Sequence, residues 1–226
     1  MNFLNRFVWI FVSPARVFDD IKEHRVRWVQ PYLIVSAMTM LVTWLSMPVQ
    51  RILIENNAHD LPTEQVDKQL EMMDRFGLVQ LILVPAGVLL VSMVVAALCY
   101  ILVTVLSRTA TFKQFFTLTL FTSVVSTTGQ LLSTLIVRAR GLERIVEARD
   151  AQMALSLKVF APENSAALRG LLGSFEFFAC WAFVLVGMGL MRIFGMTRGA
   201  AIAALIPMWI IYVAALITSE IFGGMG

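Results

Sequence analysis

Charge is scarce in this chain. Asp, Glu, Lys and Arg make up 15% of its 226 residues, against 58% hydrophobic residues. An average soluble domain has about 25% charged residues, so this chain is too apolar to clothe a globular surface. It also has no long polar block that could form a separate domain. The net charge of +3 comes without a clustered basic face, which excludes a nucleic-acid partner. The two cysteines, Cys99 and Cys180, sit inside apolar runs, where a thiol packs as a small hydrophobe. They offer no disulfide framework and report no redox compartment. The two histidines, His24 and His59, have no Cys or His at metal-ligand spacing. There is no glycine-rich phosphate loop, no nucleophile elbow and no paired-carboxylate motif. The expectation is a protein that is not an enzyme and needs no cofactor or metal.

Long apolar runs are what the chain does have. Between Phe76 and Val137 the only formal charges are Arg108 and Lys113. A spanning helix needs about 20 apolar residues, so this stretch suits two spans joined by a short basic turn. Applied to the whole sequence, the same measure predicts an all-α, polytopic membrane helix bundle. Its five transmembrane helices lie at about Trp28–Val49, Leu78–Ser107, Phe115–Val137, Leu171–Met191 and Ala200–Thr218. Residues 28–226 form this membrane domain. Pro85 is expected to kink span 2 or to divide an interfacial turn from it. Ahead of it, Val66, Leu70 and Met73 share a face and predict a short surface helix over Thr63–Arg75. Leu142, Ile145, Val146 and Arg149 suggest another partly amphipathic helix within the polar segment Arg138–Arg169.

Residues 1–27 form an amphipathic N-terminal segment. The apolar core Phe7–Val12 is six residues, shorter than the 7–15 of a signal peptide, so no cleavage is expected. Ser13 and Pro14 make a helix start, a hydroxyl N-cap followed by a residue that needs no N–H. Pro14, Val17, Phe18 and Ile21 then recur at i, i+3, i+4 and i+7, one face of a helix. Phe3, Leu4, Phe7, Val8 and Phe11 add an apolar patch upstream. Two readings stay open: a membrane-surface helix lying in the headgroup plane, or a helix packed against the ends of the protein's own spans.

Orientation follows from the basic residues. With five spans the two ends lie on opposite sides. The Lys and Arg count is equal on the two sides, but both tight turns, Arg108–Lys113 and Arg192–Arg198, are basic, and the first-span flank usually dominates. A cytoplasmic N-terminus and an external C-terminus are expected, in a bacterial cytoplasmic (inner) membrane. Spans 2–3 and 4–5 each read as an amphipathic outer segment, a span, a basic turn and a span. Either a parallel hairpin repeat or a shared charge rule accounts for this.

Two polar features interrupt the spans. Thr119, Ser123, Ser126, Gln130 and Ser133 recur at intervals of four, three, four and three on span 3 and form one stripe. Polar side chains in lipid seek partners across helices, so the stripe serves helix adhesion or lines a polar pocket. Glu176 lies a turn or two inside span 4, either reaching water or acting as an intramembrane site. Gln130 and Glu176 fall at comparable depth, and Gln80 near the outer end of span 2 can join them. Small residues at Gly199/Ala203, Ala200/Ala204 and Gly187 with Gly189 permit close helix contacts.

The pattern Phe11, Pro14, Phe18, Ile21, then Trp28 and Pro31, resembles the start of bacterial members of the Yip family (Ypt/Rab-interacting proteins). Ala110-Thr111-Phe112-Lys113, Phe175-Glu176-x-Phe178-x-x-Trp181 and Met208-Trp209 carry the resemblance through spans 3, 4 and 5. It implies five transmembrane helices with a cytoplasmic N-terminus. Eukaryotic members are associated with vesicle traffic, small GTPases and membrane shaping. Their Asp-Leu-Tyr-Gly-Pro signature has no counterpart here, so no GTPase partner is implied, and no family catalytic residue transfers. Two functional classes follow. One is a membrane-organising or partner-recruiting structural protein, with the lipid bilayer and a protein partner or homo-oligomer as its company. The other is a small-molecule or lipid transporter of permease type using a pocket along span 3. A hollow bundle favours the second and a solid one the first.

Overall fold

The computed structural model describes residues 3–23, 27–56, 63–105, 111–145, 156–162 and 165–223. Eight α-helices run in order: α1 (Phe3–Val12), α2 (Pro14–Glu23), α3 (Val29–Asn56), α4 (Thr63–Thr104), α5 (Phe112–Ala139), α6 (Ala166–Gly173), α7 (Phe177–Phe194) and α8 (Arg198–Gly223). Five of them, α3, α4, α5, α7 and α8, are long and apolar enough to cross a membrane. Single 3₁₀ turns at Leu142–Arg144 and Leu157–Phe160 complete the described structure, which contains no strand beyond an isolated bridge between Ser156 and Glu176. His24 and His59 lie outside the described residues.

Helix α5 is the axis. It packs against α3, α4 and α7 and touches α1 and α2. Gln114 fixes its start, its Oε1 accepting from the Thr111 N–H at 3.2 Å and the Thr111 hydroxyl at 2.8 Å. Every residue from Phe115 to Thr122 is buried. Phe115 stacks on Phe194 of α7 at 4.1 Å between centroids, and Trp28 meets Phe116 edge-on at 5.3 Å. Farther along, Gly129 lies under the Phe178 ring so closely that a Cβ there would be 2.5 Å from it. Near its end α5 is tied to α3, because Arg138 donates to the Leu45 carbonyl at 3.1 Å.

The N-terminal pair α1–α2 docks on this axis. Proline at the first position of α2 needs no hydrogen-bond partner for nitrogen, and the Ser13 N–H closes α1 on the Trp9 carbonyl at 2.8 Å. Ile10, Val17 and Phe18 are 0% exposed and Ile21 5%. They join Leu118, Phe121, Val124 and Val125 of α5 with Leu185 and Ile193 of α7 in one cluster. The face Pro14, Val17, Phe18, Ile21 is therefore covered by the bundle, not by headgroups, and the membrane-surface alternative is set aside. Each large side chain buried this way is worth about 1.5–3 kcal/mol. Charges reinforce the dock. Arg6 pairs with the buried Asp20 at 2.6 Å, Asp19 with Arg192 of α7 at 3.6 Å, and the Arg16 guanidinium lies 4.5 Å from the Trp9 ring centroid.

Two expectations about the spans need correction. The predicted surface helix Thr63–Arg75 is not separate from span 2, and Pro85 does not divide it, for α4 runs unbroken through 42 residues. The pairs Glu64–Lys68 at 2.6 Å and Glu71–Arg75 at 2.8 Å have i,i+4 spacing, which supports the same helix through the charged segment. Proline inside a spanning helix is tolerated, and across the helix pair Tyr32 of α3 donates to the Pro85 carbonyl at 3.1 Å. In span 4 the opposite holds. The stretch Leu171–Met191 is not one helix: α6 ends at Gly173, the Ser174 hydroxyl turns back to the Leu171 carbonyl at 2.7 Å, and α7 starts only at Phe177. The two hairpins thus differ where a repeat would make them alike. Of the amphipathic helix expected around Leu142–Arg149, the described part is one 3₁₀ turn with Ile145 buried, and Val146 and Arg149 lie outside the described residues.

Candidate functional site

The polar stripe of α5 does not form one polar wall. Thr119 is 7% exposed, Ser123, Ser126 and Ser133 are half-buried, and Gln130 is exposed. No hydrogen bond joins these five to another span among the described residues. The threonines of α5 instead turn to their own helix. Thr117, Thr122, Thr128 and Thr134 donate to carbonyls three or four residues earlier at 2.8–2.9 Å, which removes their need for partners across the bundle. Sequence reasoning missed Ser36 of α3, whose hydroxyl is buried with no hydrogen-bond partner among the described residues. Its only signal is an isolated serine in an apolar run.

Glu176 is not inside a helix at all. It is the N-cap of α7, its two carboxylate oxygens accepting from the Phe178 N–H at 3.1 Å and the Ala179 N–H at 2.7 Å. A carboxylate suits that place, since it satisfies free N–H groups and meets the positive end of the helix dipole. Helix α7 has 18 residues, about 27 Å at 1.5 Å each, close to the roughly 30 Å hydrocarbon core. Glu176 and Gly195, the left-handed C-terminal cap at φ 67°, thus stand at the two ends of a helix of about that thickness. Gln130, next to Gly129 under the Phe178 ring, shares the depth of Glu176 but makes no hydrogen bond to it. Gln80 is farther removed, on the exposed face of α4. With Phe76, Val79, Leu83 and Val84 it lines an open, apolar groove of about 390 Å³. Among the described residues no hydrogen bond joins Gln80, Gln130 and Glu176 to one another.

Phe175, the residue before Glu176, belongs to an aromatic group. Phe175 lies 5.5 Å from Trp209 of α8 between centroids, Phe183 lies 4.7 Å from Trp209 and 5.6 Å from Tyr212, and Trp209 and Tyr212 are 5.9 Å apart. Above this group Glu220 near the end of α8 holds Lys158 and, at 3.0 Å, Arg169. That clamp ties α6 and the preceding 3₁₀ turn to α8. The Leu157 N–H adds a bond to the Phe175 carbonyl at 3.4 Å. Among the described residues no three His, Cys, Asp or Glu side chains group to hold a metal.

Five apolar helices, α5 at the centre with α3, α4 and α7 packed on it and α8 against α4 and α7, with charge confined to their ends, define an all-α multi-pass membrane protein whose outer faces meet the lipid bilayer. Residues 9–219 match the family model of the Yip1 domain, and the chain belongs to that family. It is similar to the membrane protein YknW of Bacillus subtilis (strain 168), with 26% identity over 216 residues covering 94% of this chain and 89% of that protein. No solved structure matches the chain.

Proposed function

We propose that this Yip1-domain protein is a membrane-organising, partner-recruiting structural protein that catalyses no reaction and conducts no solute. The observation that carries this reading is the centre of the bundle, where Phe115–Thr122 of α5 are buried side by side and aromatic rings fill the space a path would need. The partner surface in this reading is the projecting start of α4. Glu64, Asp67, Glu71 and Asp74 stand exposed there, three of them paired with Lys68, Arg75 and Arg51. Such exposed pairs hold weakly and exchange readily for a partner's charges. The permease alternative draws on the unpartnered hydroxyl of Ser36.

The protein sits, in this reading, in the cytoplasmic membrane of a bacterium with its N-terminus inside and C-terminus outside, as the basic turns suggest. Reporter fusions after Asn57, Ala110, Ala151, Gly195 and Gly226 should then alternate out, in, out, in, out. A photo-crosslinking residue at Asp67 should capture a protein partner in cells, and purified protein in sealed vesicles should leave solute leakage at the protein-free rate. Vesicles that leak faster with protein, together with an empty crosslink, would overturn the structural reading.

A further inference from the structure

We propose that Glu176, with the rings of Phe175, Phe183, Trp209 and Tyr212, forms a binding site for the primary ammonium of a phospholipid headgroup. The site requires the protein to be embedded in a bilayer and is independent of the structural role proposed above.

Depth is the first argument. Glu176 caps a helix about as long as the hydrocarbon core is thick, so its carboxylate lies where headgroups lie. Charge is the second. The two cations nearest in the fold, Lys158 and Arg169, are held by Glu220, and no cation pairs with Glu176 among the described residues. Its oxygens each accept one backbone N–H, and a carboxylate has acceptor capacity for more. An ammonium with three donors matches that capacity.

The rings supply the third argument. They meet at tilted or edge-on angles of 52° to 67° rather than in a parallel stack. Phe175 is 44% exposed, and Phe183, Trp209 and Tyr212 are half-buried. A cation within about 6 Å of such faces is attracted by their quadrupoles, most strongly by tryptophan. A belt of aromatics alone would anchor a helix at the interface without preference. The carboxylate beside them, paired with no cation among the described residues, adds selection, favouring ammonium headgroups and repelling lipids of net negative charge.

The test is native mass spectrometry of the delipidated full chain titrated with phosphatidylethanolamine, phosphatidylcholine or phosphatidylglycerol. The wild type should retain phosphatidylethanolamine at least about tenfold more tightly than phosphatidylglycerol, with phosphatidylcholine between them, since it keeps the cation but loses the donors. Glu176→Gln retains an acceptor for the α7 cap but loses the charge, and should reduce that preference about fivefold or more. Glu176→Asp should keep most of it, as Asp both caps and carries charge. Trp209→Leu should weaken phosphatidylethanolamine retention severalfold without changing phosphatidylglycerol. Equal retention of the three lipids by wild type, or an undiminished preference in Glu176→Gln, overturns the site. If Glu176→Gln does not fold, Trp209→Leu and Tyr212→Leu decide, and a preference unchanged in both overturns it equally.

Discussion

A single methyl group at position 170 should loosen one side of the bundle. Gly170 of α6 crosses α8 with no side chain between them, and a Cβ there would stand 2.5 Å from the Ile217 Cα and 2.7 Å from its nitrogen. Both are backbone atoms, so no rotamer change can yield. Relief requires the helices to separate by about 1 Å or more to reach ordinary contact. The adjacent Arg169–Glu220 bond of 3.0 Å then stretches past hydrogen-bonding range. Overpacking of this kind costs about 1–3 kcal/mol, and losing the attached bond adds about 1 kcal/mol. For a chain of this size each kcal/mol lowers the melting temperature by about 2–4 °C, so Gly170→Ala should melt about 5–15 °C lower. Circular dichroism in detergent measures this, and proteolysis within residues 156–169 should rise in parallel. Gly87→Ala is the control. A Cβ at Gly87 meets nothing within 4 Å, and alanine there gains up to about 1 kcal/mol of helix propensity. Ile217→Ala should not rescue Gly170→Ala, since Ile217 Cα and nitrogen remain. A Gly170→Ala protein melting within 1 °C (about 0.3 kcal/mol) of the wild type, or a Gly87→Ala protein falling as far, would refute the close-packing argument.

Phe18→Asp places a carboxylate in a fully buried position and forfeits about 1.5–3 kcal/mol of apolar burial, so protease cleavage within residues 1–27 should accelerate at least about tenfold; an unchanged rate would count against docking of α2. Burial pushes the Asp20 carboxyl up, but the Arg6 guanidinium hydrogen-bonded to it more than reverses this and holds it below the ordinary carboxylate value. The stabilisation it gives is therefore fully present above that ordinary value and is lost as pH falls through the lowered one. N-terminal docking, followed by the same proteolysis, should weaken only in that acid range, and Arg6→Ala or Asp20→Asn should abolish the dependence; persistence in either variant would assign it elsewhere. Gln130→Leu and Glu176→Leu should lower protein abundance additively, because no hydrogen bond joins the two side chains among the described residues. Coupling of about 0.5–3 kcal/mol would show that the two side chains meet after all.

The spans were legible because bilayer thickness imposes a length that any uncharged run can be measured against. The basic turns and the face Pro14, Val17, Phe18, Ile21 were legible for a similar reason, each being a one-dimensional pattern with a fixed period. What that face docks on was not. Headgroups and a bundle wall are both apolar, and no periodicity distinguishes them. The break before Glu176 escaped because Gly173-Ser174-Phe175 lies in an apolar context where hydropathy alone continues the helix. The carboxylate directly after it was the available signal, since a negative charge is stabilised at the start of a helix. The unbroken α4 escaped for the opposite reason, its charged start and Pro85 each suggesting a boundary. The stripe Thr119–Ser133 is a periodicity, and periodicity does not reveal that neighbouring threonines satisfy themselves on their own backbone. Nor could it pair Phe183 with Trp209 and Tyr212, which lie on different helices.

The unbroken course of α4 makes it a lever. Its 42 residues reach about 63 Å, roughly twice the hydrocarbon thickness. The thirteen-residue charged end, about 20 Å long, is rigidly continuous with the part that lipid surrounds. A 10° tilt of the embedded portion carried through the helix swings the charged end about 3.5 Å over that 20 Å arm. The coupling runs both ways. A load on the charged end reaches the contacts α4 makes farther along, Pro85 with Tyr32 of α3 and Cys99 with Met208 of α8, and a change in bilayer thickness that retilts the span displaces the charged end, where Asp74 meets Arg51 of α3.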